Sequence, residues 1–350
     1  MSRFDYPSHL EMMWQRAIAP REPNAPTFIS TFAGGGGSST GYLMAGFHEL
    51  LAVEWDDNAV ETLRLNHPNL NIYHGDIAQL SVEECLERVG LQAGELDMLD
   101  GSPPCQGFSI AGKREMSDER NQLFREFTRL LQGLRPKTFV MENVGGLVKG
   151  KMKLIFAEIL TELKACGYRV SCRLLSAKFF HVPQKRERLI FIGVRDDLGI
   201  EPSHPRAESR PITVRQAIKE FEDLPADRSM KDWMQEACKL IKSSHGSKEI
   251  GRIFVQFKGT TGSAISTTRL DYNKPSNTIS KQEIAVSGLI HPTKHRYLIQ
   301  QELARLGSFP DAYQFTDRRS ACARIGNSVP PLMAEAIGRH IRTELLARIT

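Results

Sequence analysis

The stretch Thr27-Phe-Ile-Ser-Thr-Phe-Ala-Gly-Gly-Gly-Gly-Ser-Ser39 decides the fold of this chain. Residues 27–32 have the apolar and β-branched composition of a buried strand, and a helix through Gly46 follows the glycine run. Glycines let such a turn approach a ligand closely, and the N-terminus of the next helix favours negative charge. The stretch therefore predicts a strand, a ligand-binding loop and a helix in succession.

An acidic residue lies where a nucleoside would need one. A second strand over residues 50–53 is followed by Glu54, about 20 residues after Gly34, where a carboxylate accepts hydrogen bonds from ribose hydroxyls. A dinucleotide fingerprint would need Gly or Ala at the position of Ser39 or Thr40. A nucleoside cofactor without a pyrophosphate is therefore favoured, and an NAD-dependent dehydrogenase remains the alternative.

Strand-like and helix-like segments alternate as far as residue 195. Apolar residues recur at helical spacing over 123–134 and 154–163, which indicates the core faces of two helices. The alternation predicts an α/β fold with a doubly wound, mostly parallel sheet that binds its ligand at the carboxyl ends of the strands. Residues 1–195 form the predicted catalytic and cofactor-binding domain, with residues 1–25 as an N-terminal extension. The other predicted elements are a helix near 58–65 and strands near 71–73, 96–99, 138–141, 170–175 and 189–194.

The pattern changes after residue 195. Residues 196–300 show no clear period and predict a smaller domain, while residues 301–350 predict a hinge and a return to the catalytic domain, with a helix over 332–349. A basic cluster within the smaller domain contains one acid, Glu249, and is either a solvated face or a surface for a polyanion. The basic residues are Lys239, Lys242, Lys248, Arg252, Lys258 and Arg269.

Composition places the chain among ordinary globular proteins. The 350 residues are 41% hydrophobic and 25% charged, and the net charge of +5 permits a polyanionic partner without requiring one. No apolar run approaches the roughly 18 residues of a membrane span, and the N-terminus lacks the apolar segment of a secretory signal. The 6 cysteines lie far apart without a Cys-x-x-Cys pair, which argues against disulfides and a zinc site and is typical of a reducing cytosol.

The segment Gly101-Ser-Pro-Pro-Cys-Gln-Gly-Phe-Ser109 presents a cysteine shortly after a predicted strand. The two prolines fix their own φ and keep the residue before each of them out of the helical region, so the turn is stiff. An isolated cysteine is usually a small buried hydrophobe. Here the proline frame and the polar residues that follow favour an exposed Cys105 that acts as a nucleophile.

Together these motifs resemble those of the DNA cytosine-5 methyltransferases, and the resemblance covers nearly the whole chain in order. It implies that S-adenosylmethionine is the methyl donor and double-stranded DNA the substrate. The matching segments are Phe32-Ala-Gly-Gly-Gly-Gly37, Glu54-Trp55, Gly75-Asp76-Ile77, Pro103-Pro-Cys-Gln106, Glu142-Asn143-Val144, Gln184-Lys-Arg-Glu-Arg188, Leu303-Ala-Arg-Leu306 with Phe309-Pro310-Asp311, and Gly326-Asn-Ser-Val-Pro330.

The resemblance also implies where the cofactor binds. Phe32 and Trp55 would contact the adenine, Glu54 the ribose, and Asp76 with Ile77 the region of the adenine amino group. The full implied set is Phe32, Gly34, Gly35, Gly37, Glu54, Trp55, Asp76, Ile77, Pro104, Leu123, Asn327 and Ser328.

The resemblance implies four catalytic residues, Cys105, Glu142, Arg186 and Arg188, and three of them would act on the cytosine itself. Cys105 would add to C6, Glu142 would meet the charge that develops at N3, and Arg188 would hold O2. An ordinary surface acid is the alternative for Glu142, but the turn expected after it would fix its direction. The target base would be flipped out, because a thiol cannot reach C6 inside a duplex, and residues 109–121 would form a loop that closes over the DNA.

Contacts to DNA are implied for the basic motif and the smaller domain. If residues 184–188 are extended, Gln184, Arg186 and Arg188 share one face, and Arg186 would lie in the active site near a phosphate. Ion pairing with acids is the structural alternative for these arginines. Residues 196–300 would recognise the target sequence through the major groove. The expected substrate-binding residues are Gln106, Ser109, Gln184, Lys239, Lys242 and Lys248.

The expected enzyme is a monomeric, stand-alone DNA methyltransferase of prokaryotic or phage type, cytoplasmic and associated with the nucleoid. A cognate restriction endonuclease would act separately. A tRNA cytosine-5 methyltransferase is an alternative, although the Cys-Phe-Thr signature of that branch is absent, and a non-catalytic DNA-binding regulator is another. The chain departs from the family pattern at Ser30-Thr31, Ile299 and Ser308.

Overall fold

The computed structural model describes residues 4–104, 119–148, 153–259, 267–281 and 288–349. Their strands are β1 Thr27–Thr31, β2 His48–Glu54, β3 Ile72–His74, β4 Met98–Gly101, β5 Thr138–Val144, β6 Tyr168–Ser176, β7 Glu187–Arg195, β8 Thr268–Arg269 and β9 Leu289–Ile290. Their α-helices are α1 Tyr6–Ile18, α2 Gly37–Met44, α3 Asp57–Asn66, α4 Val82–Val89, α5 Glu119–Leu134, α6 Lys153–Ala165, α7 Val214–Ile218, α8 Asp232–Leu240, α9 Ser247–Lys258, α10 Gln300–Leu306, α11 Arg318–Asn327 and α12 Pro331–His340.

The first seven strands form one sheet in the order β3-β2-β1-β4-β5-β7-β6. Neighbouring strands from β3 to β5 are parallel, and β7 runs antiparallel to both β5 and β6. The chain order reverses between β1 and β4, and ligands bind at such a switch point, outside the carboxyl ends of the strands. The predicted doubly wound, mostly parallel sheet is therefore confirmed, as are its predicted strands within a few residues.

Helices cover both faces of the sheet. Successive strand residues point to opposite sides, so Phe28 packs into one core cluster and Ile29 into the other. The first cluster contains side chains of α1, α2 and α12, and the second contains those of α4, α5 and α6. Because both faces are buried, the sheet is rigid, and its carboxyl edge can hold side chains in fixed positions.

The N-terminal extension is not a separate appendage, because most of it forms α1. Tyr6, Leu10 and Trp14 are buried in the first core cluster, and the helix packs on α2. These residues recur at a spacing of four, but the prolines around them obscured the helical pattern.

The region 196–300 contains more regular structure than expected. Helices α8 and α9 pack on each other and, with β9, bury a third apolar cluster. Met234, Ala237, Ile250 and Phe254 lie within this cluster at helical spacing. Sequence reasoning missed this pattern because each helix is short and is flanked by Gly, Ser and Lys.

Three local expectations need correction. The predicted loop over 109–121 ends earlier, since α5 begins at Glu119, and residues 109–118 lie outside the described part of the chain. Leu154 was expected in the core but is 71% exposed, whereas Ile155 and Ile159 on the same helix are buried. The first strand ends at Thr31 rather than Phe32, because Phe32 has a φ of 56° and starts the turn.

Helix α12 returns the chain to the face of the sheet that carries α2. Helix α12 lies against α2, and a Cβ on Gly41 of α2 would lie 2.3 Å from the carbonyl oxygen of Pro331. Glycine is thus required where the two helices cross. Among the described residues, no helix is both long and apolar enough to cross a membrane.

Candidate active site

The twelve residues expected to bind the cofactor come together around one cavity of about 940 Å³ at the carboxyl edge of the sheet. The cavity also contacts Glu142 and Arg188, which were expected to act on the base. Residues from the loop after β1 and from the end of α11 therefore meet at one site. Its expected cofactor-binding members are Phe32, Gly34, Gly35, Gly37, Glu54, Trp55, Asp76, Ile77, Pro104, Leu123, Asn327 and Ser328.

The glycine loop, residues 33–37, is shaped by both conformation and space. Gly34 and Gly36 have φ values of 57° and 76°, in the left-handed region that favours glycine. A Cβ on Gly35 would lie 2.8 Å from the Arg324 side chain, and one on Gly37 would lie 2.6 Å from Ser328. The loop can therefore turn tightly only because these positions lack side chains.

The carboxylate of Glu54 ties the second strand to the glycine loop. One oxygen accepts the amide N–H of Gly34 at 2.7 Å, and the other accepts those of Trp55 and Asp56 at 2.9 Å. Trp55 beside it is 77% exposed and lines the cavity, so its indole ring is available to a planar ligand. Glu54 thus fixes the backbone around the cavity in addition to lining it.

Glu142 and Arg188 form an ion pair beside the cavity. In the antiparallel pair of β5 and β7, Glu142 lies opposite Ile190, so Arg188 is its diagonal neighbour on the same face. The side chains are only 12% and 13% exposed. The sequence pattern placed both residues at the site but did not predict this contact.

Burial raises the pKa of the Glu142 carboxyl above its ordinary range, while the guanidinium groups of Arg188 and Arg186 oppose the shift. The carboxyl therefore holds a proton more readily than an exposed glutamate would. A carboxyl of this kind can donate a proton or a hydrogen bond to a basic ring nitrogen.

A buried polar network lies behind the glycine loop. The Tyr42 hydroxyl donates to Asp100 at 2.8 Å, and the Ser39 hydroxyl donates to Glu49 at the same distance. Burial raises the pKa of Asp100 to about 7 and that of Glu49 to about 8. Asp100 is the next-to-last residue of β4, the strand that leads into the cysteine motif, so this network lies beneath both the loop and the root of that motif.

Arg186 and Gln184 do not occupy the positions expected of them. Arg186 is 1% exposed, and its guanidinium donates to the carbonyl oxygens of Gly326 at 2.8 Å and Ile279 at 3.4 Å. Gln184 is also 1% exposed and donates to the carbonyl oxygen of Leu306. Both side chains are enclosed by protein in this structure, where they hold the β7 hairpin to the late motifs.

Other expected substrate-binding residues are exposed or lie outside the described part of the chain. Cys105, Gln106 and Ser109 lie outside it. Lys239, Lys242 and Lys248 are exposed, and Lys239 pairs with Glu236 at 2.7 Å. Arg269 departs from the expected basic surface, because it is buried and donates to the carbonyl oxygens of Cys238 and Ile241.

Sequence reasoning missed Arg324, which lines the cavity next to the glycine loop. Its guanidinium lies 3.2 Å from the Asp56 carboxylate and joins α11 to the start of α3. The signal available in the sequence was its position two residues before Gly326. Ser102 and Lys281 also line the cavity and were not expected there.

Comparison with known families agrees with this geometry. Residues 26–343 match the sequence profile described as C-5 cytosine-specific DNA methylase. The chain belongs to this family. It is a DNA (cytosine-5) methyltransferase, so the dehydrogenase alternative is set aside.

Relatives of known type cover most of the chain. The type II methyltransferase M1.HphI of Haemophilus parahaemolyticus is 35% identical over 336 residues, covering 90% of this chain and 86% of the relative. M.Eco47II of Escherichia coli is 34% identical over 346 residues, with coverage of 91% and 79%.

Solved structures agree with the fold. A structure described as a DNA modification methyltransferase encoded within an E. coli prophage has a TM-score of 0.71 at 28% identity, covering 92% of this chain and 100% of that one. Spodoptera frugiperda DNMT2 has a TM-score of 0.66 at 18% identity, covering 93% of this chain and 99% of that one, and shares the fold.

Proposed function

We propose that this methyltransferase uses S-adenosylmethionine to methylate C5 of a flipped-out cytosine in a specific double-stranded DNA sequence, through a covalent bond from Cys105 to C6. One observation carries the proposal: a single cavity is lined by the nucleoside-type loop, by Glu54 and by the Glu142–Arg188 pair.

The cavity residues fit S-adenosylmethionine. The exposed indole of Trp55 can cover an adenine, and Glu54 lies where a ribose would bind, next to a loop with no room for side chains at Gly35 and Gly37. Asp76, Ile77, Pro104, Leu123, Asn327 and Ser328 would complete the pocket. When bound, the cofactor supplies an electrophilic methyl group for C5.

The protein must activate the cytosine ring, because C5 is a poor nucleophile. The Cys105 thiolate forms a bond to C6, which pushes electron density onto N3 and C5. Glu142 supplies a hydrogen bond or proton at N3, and its raised pKa suits this role. Arg188 orients Glu142 through their ion pair and holds the O2 oxygen, since its planar fork fixes direction. Loss of the C5 proton then releases Cys105, and water can accept that proton.

The smaller domain is proposed to read the DNA sequence. Residues 196–300 contain the third apolar cluster and the exposed lysines Lys239, Lys242 and Lys248, so they combine a folded unit with positive charge. Residues 1–195 carry the chemistry, and residues 301–350 return to the catalytic side. The N-terminal segment 1–25 is part of the catalytic domain by virtue of α1.

The relatives named as type II methyltransferases support a place in restriction and modification. A cognate endonuclease would then cut the unmethylated form of the same sequence as a separate protein. We propose that the methyltransferase acts as a monomer bound to the nucleoid in the cytoplasm.

A trapping experiment tests the mechanism. Duplex DNA with 5-fluorocytosine at the target, mixed with S-adenosylmethionine, should form a stable adduct on Cys105, because fluorine at C5 blocks the elimination that frees the thiol. Bisulfite sequencing of DNA from cells that express the enzyme first identifies the target sequence. Mass spectrometry then locates the adduct.

The Cys105→Ala variant serves as the control, since it should bind the same DNA but form no adduct. Methylation by Cys105→Ala, or an adduct on a different cysteine, would overturn the covalent mechanism. If the enzyme methylates cytosine in tRNA and not in DNA, the proposed DNA substrate is wrong.

A further inference from the structure

An aromatic side chain that the proposed mechanism does not use supports the glycine loop from behind. The Tyr313 hydroxyl donates a hydrogen bond of 2.6 Å to the carbonyl oxygen of Gly35. A Cβ on Gly36 would lie 2.7 Å from the same hydroxyl oxygen, so Tyr313 and the loop are in direct contact. Tyr313 follows α10 and is 4% exposed.

The contacted peptide group is held at both ends. Its oxygen, on Gly35, accepts from Tyr313, and its N–H, on Gly36, donates to the carbonyl oxygen of Ala33 at 3.1 Å. The second bond closes the turn that starts the loop, and the first fixes the plane of the peptide. The orientation of the Gly35–Gly36 peptide beside the cavity therefore depends on one side chain outside the cavity.

Aromatic neighbours restrict the motion of the Tyr313 ring. Trp14 of α1 meets it edge-on with centroids 5.9 Å apart, and Phe309 and Phe315 lie at 5.0 and 5.4 Å. Trp14 precedes residues 26–343, so part of this support lies outside the segment that matches the family profile.

We propose that Tyr313, held by Trp14, is a positioning residue that keeps the glycine loop in the conformation that receives the cofactor. This inference rests on the proposed binding of S-adenosylmethionine in the cavity. Without the hydroxyl, the Gly35 carbonyl loses its partner, and the peptide plane can rotate. Cofactor binding would then have to order the loop, which lowers affinity. Burial raises the pKa of Tyr313 above its ordinary value, so the hydroxyl keeps its proton at neutral pH.

The Tyr313→Phe variant tests the inference, because it removes the hydroxyl and keeps the ring. Calorimetric titration with S-adenosylhomocysteine, the methyl-free form of the cofactor, should show affinity weaker by on the order of tenfold, the scale of one lost hydrogen bond. The KM for S-adenosylmethionine should rise by a similar factor.

Tyr6→Phe is a matched control. The Tyr6 hydroxyl is also buried and donates to a backbone carbonyl, that of Arg305, at 2.7 Å, but it does not contact the loop. Both variants should lower the thermal unfolding midpoint by similar amounts, while only Tyr313→Phe should weaken S-adenosylhomocysteine binding. Equal affinities for the two variants would overturn the positioning role.

Binding of S-adenosylhomocysteine to the wild-type protein tests the proposed cofactor separately from the role of Tyr313. Failure of the wild-type protein to bind S-adenosylhomocysteine would refute the cofactor itself. If Tyr313→Phe does not fold, Trp14→Leu provides a second test, because it loosens the ring and leaves the hydroxyl in place. We expect Trp14→Leu to weaken binding by on the order of threefold, and Met13→Leu, on the same helix, to leave binding unchanged. If Trp14→Leu binds S-adenosylhomocysteine as tightly as the wild type does, the positioning role of Tyr313 is wrong.

Discussion

Glu142 and Arg188 are both ionisable, and both side chains are largely withdrawn from water. A buried ion pair is stable only when each partner compensates the other, and removing one leaves an uncompensated charge. Burial raises the pKa of the Glu142 carboxyl, which lowers the cost of protonating it. This is the property that the proposed role of Glu142 at N3 requires.

Glu142→Gln should slow formation of the 5-fluorocytosine adduct by roughly 10²- to 10⁴-fold, the usual contribution of general acid catalysis. An amide can donate a hydrogen bond to N3 but cannot transfer a proton. Single-turnover measurements with saturating DNA and cofactor report the rate.

Glu126→Gln is the matched control for that change. Glu126 lines the same cavity and pairs with Arg129 at 2.7 Å. Its replacement should alter the adduct rate by less than about tenfold, because it supplies no proton to the base. If both variants slow adduct formation by the same factor, Glu142 has no specific role in proton transfer to the base.

Arg186 and Arg188 are two residues apart, yet only one of them borders the cavity. Alternation along an extended chain predicts that they share a face. It could not predict that Ile279 and Gly326, distant in sequence, would enclose Arg186. A local sequence pattern can predict the direction of a side chain, but it cannot predict which residues, distant in sequence, will bury that side chain.

At the scale of elements, β4 brings the buried Asp100 to the root of the cysteine motif. The pKa of Asp100 is raised to about 7, compared with about 3.9 for an ordinary aspartate in the unfolded chain. Between these values the folded state binds more protons, so the free energy of unfolding falls as pH rises.

Asp100→Asn should remove the part of the pH dependence of stability that comes from Asp100. Its stability relative to wild type should increase between pH 5 and pH 7, by at most about 1.4 kcal/mol per pH unit. Urea unfolding at a series of pH values measures the difference. Asp197→Asn should show no such gain, because Asp197 is exposed beside Arg195 and its pKa is lowered. A constant difference between wild type and Asp100→Asn would mean that Asp100 is ionised throughout.

Helices α8 and α9 and the turn between them carry Lys239, Lys242 and Lys248. Replacing all three with Ala should weaken DNA binding and make its salt dependence shallower, by up to about 0.9 in the log–log slope for each lysine that contacts a phosphate. Lys239 should contribute least, because Glu236 already pairs with it.

Fluorescence titrations over a range of salt concentrations give these slopes. Replacing Lys164, an exposed lysine in the last turn of α6, controls for a general loss of charge. An unchanged slope for the triple variant would place the DNA path on a different surface.

The elements themselves were predictable to different degrees. Buried strands were found because continuous apolar runs bounded by turn residues are a strong signal. Helix α1 was missed among prolines, and α8 and α9 were missed because a short amphipathic helix offers few apolar positions. Tertiary packing in the third cluster stabilises α8 and α9, and a local pattern does not report it.

For the whole molecule, the crossing of α2 and α12 joins an early and a late segment of the chain. Gly41→Ala should destabilise the protein by roughly 1–3 kcal/mol, because the new Cβ would lie 2.5 Å from the Cβ of Ala334. Cofactor affinity should fall as well, since α2 follows the glycine loop and α12 follows Ser328.

Gly251→Ala is a suitable control, because Gly251 lies within α9 and a Cβ there would meet no described atom within 4 Å beyond its own helix backbone. It should stabilise the protein by up to about 1 kcal/mol, the difference in helix propensity. Chemical denaturation measures both changes. Equal effects would mean that the helix crossing tolerates a methyl group.

The position of Asn327 and Ser328 in the cavity has a consequence for biosynthesis. The ribosome makes the glycine loop long before it makes Asn327 and Ser328, which line the same cavity. Domains generally fold as units while the polypeptide emerges, and this cavity is incomplete until the segment through Ser328 has been made. We therefore expect a nascent chain that ends before Ser328 to lack the proposed cofactor site.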